Sequence, residues 1–122
     1  MFQTGFDSAT SLLKVSFSGY VVPDEAKRCV EEAQALLQNV QAGFRLLTDL
    51  SGLETMELAC VPFLKQMMDL CNEKGVETVV RVIPDPRKDI GLNILALFHY
   101  ERRVRIITCE TREQALKVLA NA

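Results

Sequence analysis

From Pro23 onward the chain alternates between two kinds of segment, and that alternation limits the folds open to it. In the first kind apolar residues recur every three or four positions, the signature of a helix with one packed face. Ala26, Cys29, Val30, Ala33, Leu36, Leu37 and Val40 form such a set, opened by Pro23-Asp24-Glu25, where proline and acids suit a helix start. In the second kind a short run is almost wholly apolar, as in a strand covered on both faces. Phe44–Leu50 and Val76–Ile83 are such runs, and Arg103–Cys109 is read as the last strand. Thr55 is placed to cap a helix running to about Lys74 and stopping at Gly75, with Pro62 near its first turn. Asp85 and Pro86 mark the start of a helix from Arg87 to about His99. Thr111 with Gln114 reads as a capping box for a last helix ending near Ala120. Ahead of all this, Phe2–Phe6 and the period-two segment Leu12–Ser18 predict an antiparallel hairpin around the polar turn Asp7–Thr10, with Gly19–Val22 leaving the sheet. The predicted order is β-β-α-β-α-β-α-β-α. It implies an α/β fold with a mixed, mostly parallel sheet of four to five strands and four helices.

A chain of 122 residues fits a single domain spanning 1–122, with a core that needs no metal or disulfide. The net charge of -2 argues against a nucleic-acid binder. Neither a signal peptide nor a membrane-length apolar run is visible, so a cytoplasmic protein without stable membrane insertion is expected. Cys29, Cys60, Cys71 and Cys109 form no Cys-x-x-Cys pair, and they read as buried small hydrophobes. Cys60, near a helix start, is the candidate if any thiol is reactive. His99 is the only histidine, and a helix end accounts for it. No nucleophile motif, zinc-ligand spacing, phosphate-cradling loop or dinucleotide fingerprint appears, so no catalytic residue, metal or cofactor is assigned. Arg81, Arg87, Lys88, Arg102, Arg103 and Arg105 form the densest basic region, and the helix start at Arg87 and Lys88 is where an anionic small molecule or nucleotide is considered, beside the simpler account of a solvated helix entry.

The element order, the segment Asp49-Leu50-Ser51-Gly52-Leu53 after the third strand and the helix that follows resemble STAS domains, in particular the SpoIIAA-like group of anti-sigma-factor antagonists. The resemblance covers nearly the whole chain. It implies a non-enzymatic protein–protein interaction module in a bacterial regulatory system. In regulatory members the loop continues as Asp-Ser-Ser-Gly, and its second serine accepts a phosphate. Those places hold Glu57, Leu58, Ala59 and Cys60 here, so the phosphorylatable serine switch is expected to be missing. Ser51 and Thr55 are the nearest hydroxyls, and no phosphoacceptor role is expected for either.

On a helical wheel Met56, Cys60, Phe63, Leu64, Met67 and Cys71 face the sheet, Leu58 falls on the wet side, and Val61 and Met68 lie at its border. In the Arg87–His99 segment Leu92 points away from the packed face. An apolar docking patch is therefore expected from Leu58, Val61, Met68 and Leu92, beside the loop Asp49–Glu57. Asp49, Ser51, Thr55, Glu57 and Ala59 complete the candidate surface, with Asp49 shaping the loop through backbone hydrogen bonds. Its partner would be an anti-sigma factor, a kinase-like regulator or a second copy in a homodimer. The alternative is a small apolar ligand or lipid carrier, with Met67 and Met68 as adaptable lining.

Overall fold

In the computed structural model, which describes residues 1–85 and 100–121, the opening hairpin is β1 (Phe2–Asp7) and β2 (Leu12–Val21). Helix α1 (Pro23–Leu36) follows, then β3 (Arg45–Met56), a 3-10 turn Leu58–Cys60, α2 (Val61–Lys74), β4 (Thr78–Val82), β5 (Arg105–Cys109) and α3 (Arg112–Asn121). The sheet order is β1-β2-β3-β4-β5. Only β1–β2 is antiparallel; the other three pairings are parallel. The predicted helix Arg87–His99, with Pro86 at its start, Leu92 and His99, lies outside the described residues, which hold three α-helices.

The side-chain period of two sorts the core into two layers. Leu13, Val15, Phe17, Leu46, Leu50 and Val79 face α1 and α2. Leu12, Leu47, Val80, Val82 and Cys109 face α3 through Ala115 and Leu119. Adjacent Leu46 and Leu47 are thus both buried, 1% and 4% exposed, on opposite faces of a central strand. Burying a Leu- or Phe-sized side chain is worth roughly 1.5–3 kcal/mol, and Phe44, Leu13 and Leu37 are among the largest that are fully buried.

The local signals explain most element ends. Asp7 Oδ1 accepts from the Ala9 N–H at 3.0 Å and closes the hairpin turn. Gly75 ends α2 at φ 89°, a left-handed conformation that favours glycine. Thr111 Oγ1 accepts from the Gln114 N–H at 3.1 Å while Gln114 Oε1 accepts from the Thr111 N–H at 3.4 Å, the reciprocal pair of a capping box.

Four boundaries differ from expectation. β2 does not leave the sheet at Gly19; it stays paired to β3 as far as Val21↔Met56, with register shifts between Ser16 and Ser18 and between Gly19 and Tyr20. β3 correspondingly does not stop at Leu50, so Asp49–Met56 is strand rather than loop. Gly52 permits this: a Cβ there would stand 3.2 Å from Ser18 Cβ. Helix α2 begins at Val61, so Thr55 caps nothing and instead pairs with Tyr20 across the ladder. Pro62, the second residue of α2, marks the true start. Helix α1 ends four residues short of Val40, which still packs on the core.

Candidate functional site

The carboxyl ends of β2 and β3 deliver the chain into the turn before α2. The Glu57 N–H donates to the Val21 carbonyl at 3.1 Å, one residue beyond the strand. The Cys60 N–H donates to the Glu57 carbonyl at 2.9 Å, and the Cys60 thiol reaches the Val21 carbonyl at 3.7 Å. Glu57 and Cys60 are both tied to Val21, so the two residues between them are forced outward. Leu58 is 87% exposed, the most exposed large hydrophobic side chain among the described residues, and Ala59 is exposed beside it. Val61 is half-buried.

A residue not singled out from the sequence joins this ridge. Tyr20 is 54% exposed, and its hydroxyl donates to the Glu57 carboxylate. That bond raises the Tyr20 pKa above its ordinary value, because ionisation would place a phenolate against a carboxylate. The signal for Tyr20 lay in the continued strand: with β2 running to Val21, Tyr20 pairs with Thr55 and flanks the turn.

Asp49 is half-buried, and its Oδ1 accepts from the Ser51 N–H at 2.9 Å. It shapes the backbone within β3 rather than in a loop. Ser51 and Thr55 are exposed. Met68 does not belong to the surface: it is 6% exposed, buried with Met67 and Cys71. The wheel failed here because Met56 is a strand residue and Leu58–Cys60 winds as a 3-10 turn, at about 3.0 residues per turn rather than about 3.6, which shifts the phase of everything after it. Leu92 lies outside the described residues. The structure therefore gathers Glu57, Leu58, Ala59 and Val61 with Tyr20, and separates Met68 from them.

Val15, Phe17, Met67, Met68, Arg81 and Tyr100 are among the side chains lining a mainly apolar cavity of about 50 Å³ between the sheet and helices α1 and α2. An engineered cavity known to admit benzene is roughly 150 Å³. All four cysteines are buried. Burial raises the thiol pKa at each, to about 12 for Cys29 and Cys71. Cys60 is thus held as a neutral thiol, with Glu57 adding to the effect, and it is not an activated nucleophile. Among the described residues no group of three His, Cys, Asp or Glu side chains is placed to hold a metal ion, and no helix is long and apolar enough to cross a membrane.

No protein-family model matches the sequence, and no curated protein sequence matches it. Solved structures do match its architecture. An uncharacterised DUF3478-family protein with a SpoIIAA-like fold from Shewanella loihica PV-4 superposes with a TM-score of 0.74 at 12% identity, covering 97% of this chain and 93% of that one. The phosphorylated form of SpoIIAA, the Bacillus cell fate determinant, gives a TM-score of 0.66 at 14% identity over 98% and 99% of the two chains. An anti-sigma factor antagonist from Mycobacterium paratuberculosis gives 0.59 at 21% identity over 98% and 95%. These likenesses span whole chains and rest on backbone architecture, and they show that this protein has the SpoIIAA-like fold of STAS domains.

Proposed function

We propose that this protein is a non-enzymatic interaction module of a bacterial regulatory system, docking a protein partner through the turn that joins β3 to α2. One observation carries the reading: Leu58, with its side chain 87% exposed, projects from a turn whose flanking residues are anchored to Val21. An isolated exposed leucine is unremarkable, but this one stands with Ala59, Val61 and the Tyr20 ring on a single ridge. Apolar groups rimmed by polar ones mark association surfaces. The ridge also lies at the carboxyl ends of parallel strands, where open α/β sheets commonly present their sites.

The likeness to anti-sigma-factor antagonists favours a regulatory protein as the occupant, an anti-sigma factor or kinase-like protein. Leu58 and Ala59 stand where the resemblance places the hydroxyls of a phosphate switch, and neither can accept a phosphate. Docking here is therefore by shape and apolar contact, without covalent gating. The 50 Å³ cavity favours this over carriage of an acyl chain, since ligand sites run to about 300–1,000 Å³.

The test is affinity capture from the source cells with wild-type and Leu58→Asp baits, quantified by mass spectrometry. Loss of one specific partner from the Leu58→Asp bait supports the assignment. Identical capture by both baits, or a bound lipid in native mass spectra of the purified protein, contradicts it.

A further inference from the structure

The opposite end of the sheet holds a second feature, independent of the docking ridge. β3, β4 and β5 start in register, Arg45↔Thr78 and Thr78↔Arg105. Parallel neighbours lie about 4.8 Å apart, so two guanidinium-bearing residues flank one threonine on the α3 face of the sheet. With Thr10, Glu77 and Arg103 these residues line a cleft of about 500 Å³, within the range of small-molecule sites, about 300–1,000 Å³. We infer that this cleft binds a small organic oxyanion, a carboxylate or phosphate monoester that also carries a hydroxyl or amino donor.

Two of the three arginines are held in place before any ligand arrives. Arg45 gives hydrogen bonds to the Leu119 carbonyl at 2.7 Å and the Thr10 carbonyl at 3.1 Å. Arg103 gives bonds to the Val76 carbonyl at 2.9 Å, the Asn72 carbonyl at 3.3 Å and the Glu101 carboxylate at 2.7 Å. A guanidinium has five N–H donors, so both arginines keep some in reserve. Arg105 makes no side-chain hydrogen bond or ion pair among the described residues, and neither does the Glu77 carboxylate. Thr78, 5% exposed, sits between the arginines. Guanidinium groups match the planar, two-oxygen edge of carboxylates and phosphates. Glu101 neutralises Arg103, which leaves Arg45 and Arg105 to attract an anion and Glu77 to select one with a donor. The cleft is positive in a protein whose net charge is -2, so the attraction is local.

The experiment is an NMR titration of isotope-labelled protein with malate, succinate and glycerol phosphate at millimolar concentrations. Saturable amide shifts at Thr10, Gly43, Glu77, Thr78 and Arg105 are expected with malate or glycerol phosphate, and weaker ones with succinate, which lacks the extra donor. Arg105→Gln should weaken binding at least tenfold with the rest of the spectrum unchanged, whereas Arg102→Gln, on an exposed residue outside the cleft, should not. Saturable shifts with no probe, unchanged affinity in Arg105→Gln, or equal loss in Arg102→Gln would overturn the site. Equal affinity for succinate and malate would overturn the role given to Glu77.

Discussion

The Tyr20 hydroxyl is hydrogen-bonded to the carboxylate of Glu57, the residue directly before the exposed Leu58. One strand end thereby braces the turn at the end of its neighbour. Tyr20→Phe and Glu57→Gln should each leave the denaturation midpoint close to wild type, because an exposed hydrogen bond contributes little. Both should weaken partner binding several-fold, since the turn is no longer held in one arrangement. Binding identical to wild type in both variants would show that the brace plays no part in docking.

Gly75 is where backbone geometry is least forgiving. Its φ of 89° disfavours any L side chain, and an added Cβ would stand 2.6 Å from Ala42 Cβ. Gly75→Ala should cost about 2–4 kcal/mol, combining the left-handed penalty with overpacking. Urea denaturation measures it, and a cost under about 1 kcal/mol would mean the helix end relaxes freely.

Removing the Thr111 cap is a milder change. Thr111→Ala deletes the acceptor of the Gln114 N–H on an exposed helix start and should cost about 1 kcal/mol. Thr111→Ser, which keeps the oxygen, should recover most of that stability.

The buried thiols predict a pH dependence. Cys29 and Cys71 titrate at about 12 in the folded chain against an ordinary 9.0, so the folded state keeps protons that the unfolded state releases. Stability from this source is fully present below pH 9.0 and is lost as pH rises toward about 12. Each thiol contributes a slope of roughly 1 kcal/mol per pH unit across that window. Denaturation midpoints of wild type and of a Cys29→Ala variant from pH 8 to 11 should converge as pH rises, and parallel curves would contradict the assignment. At neutral pH native protein should resist thiol alkylation until it unfolds.

The parts of the fold set by local chemistry were readable in the residue order. Apolar spacing placed α1, Gly75 placed the end of α2, and Thr111 with Gln114 placed α3. Apart from the end of α1, the errors arose from pairing between distant segments. Nothing local to Ser51–Met56 says that β2 will run beside it to Val21, because that extension depends on two register shifts and on Gly52 clearing Ser18. The error in β3 then shifted the helical phase and moved Met68 to the surface on paper. Tyr20 was missed for the same reason. The same wheel put Leu58 on the wet side, and it is exposed for a different reason: it stands in the 3-10 turn between Glu57 and Cys60. The cleft at Arg45, Thr78 and Arg105 was not, since cross-strand register brings together residues far apart in the chain.

Phosphate independence is the sharpest consequence of a hydroxyl-free Leu58–Ala59 turn. Partner captured from cells should remain bound after phosphatase treatment, and phosphopeptide mapping should find Ser51 and Thr55 unmodified. A phosphate on either residue that changes binding would restore a covalent switch to this surface.

The most direct measurement is the Kd of the captured partner for wild-type protein and for Leu58→Asp, by calorimetry. The substitution lies on the surface and should alter folding stability by no more than about 0.5 kcal/mol. The account predicts at least a tenfold weaker Kd, about 1.4 kcal/mol. An unchanged Kd, with both proteins equally folded, would show that the partner docks elsewhere.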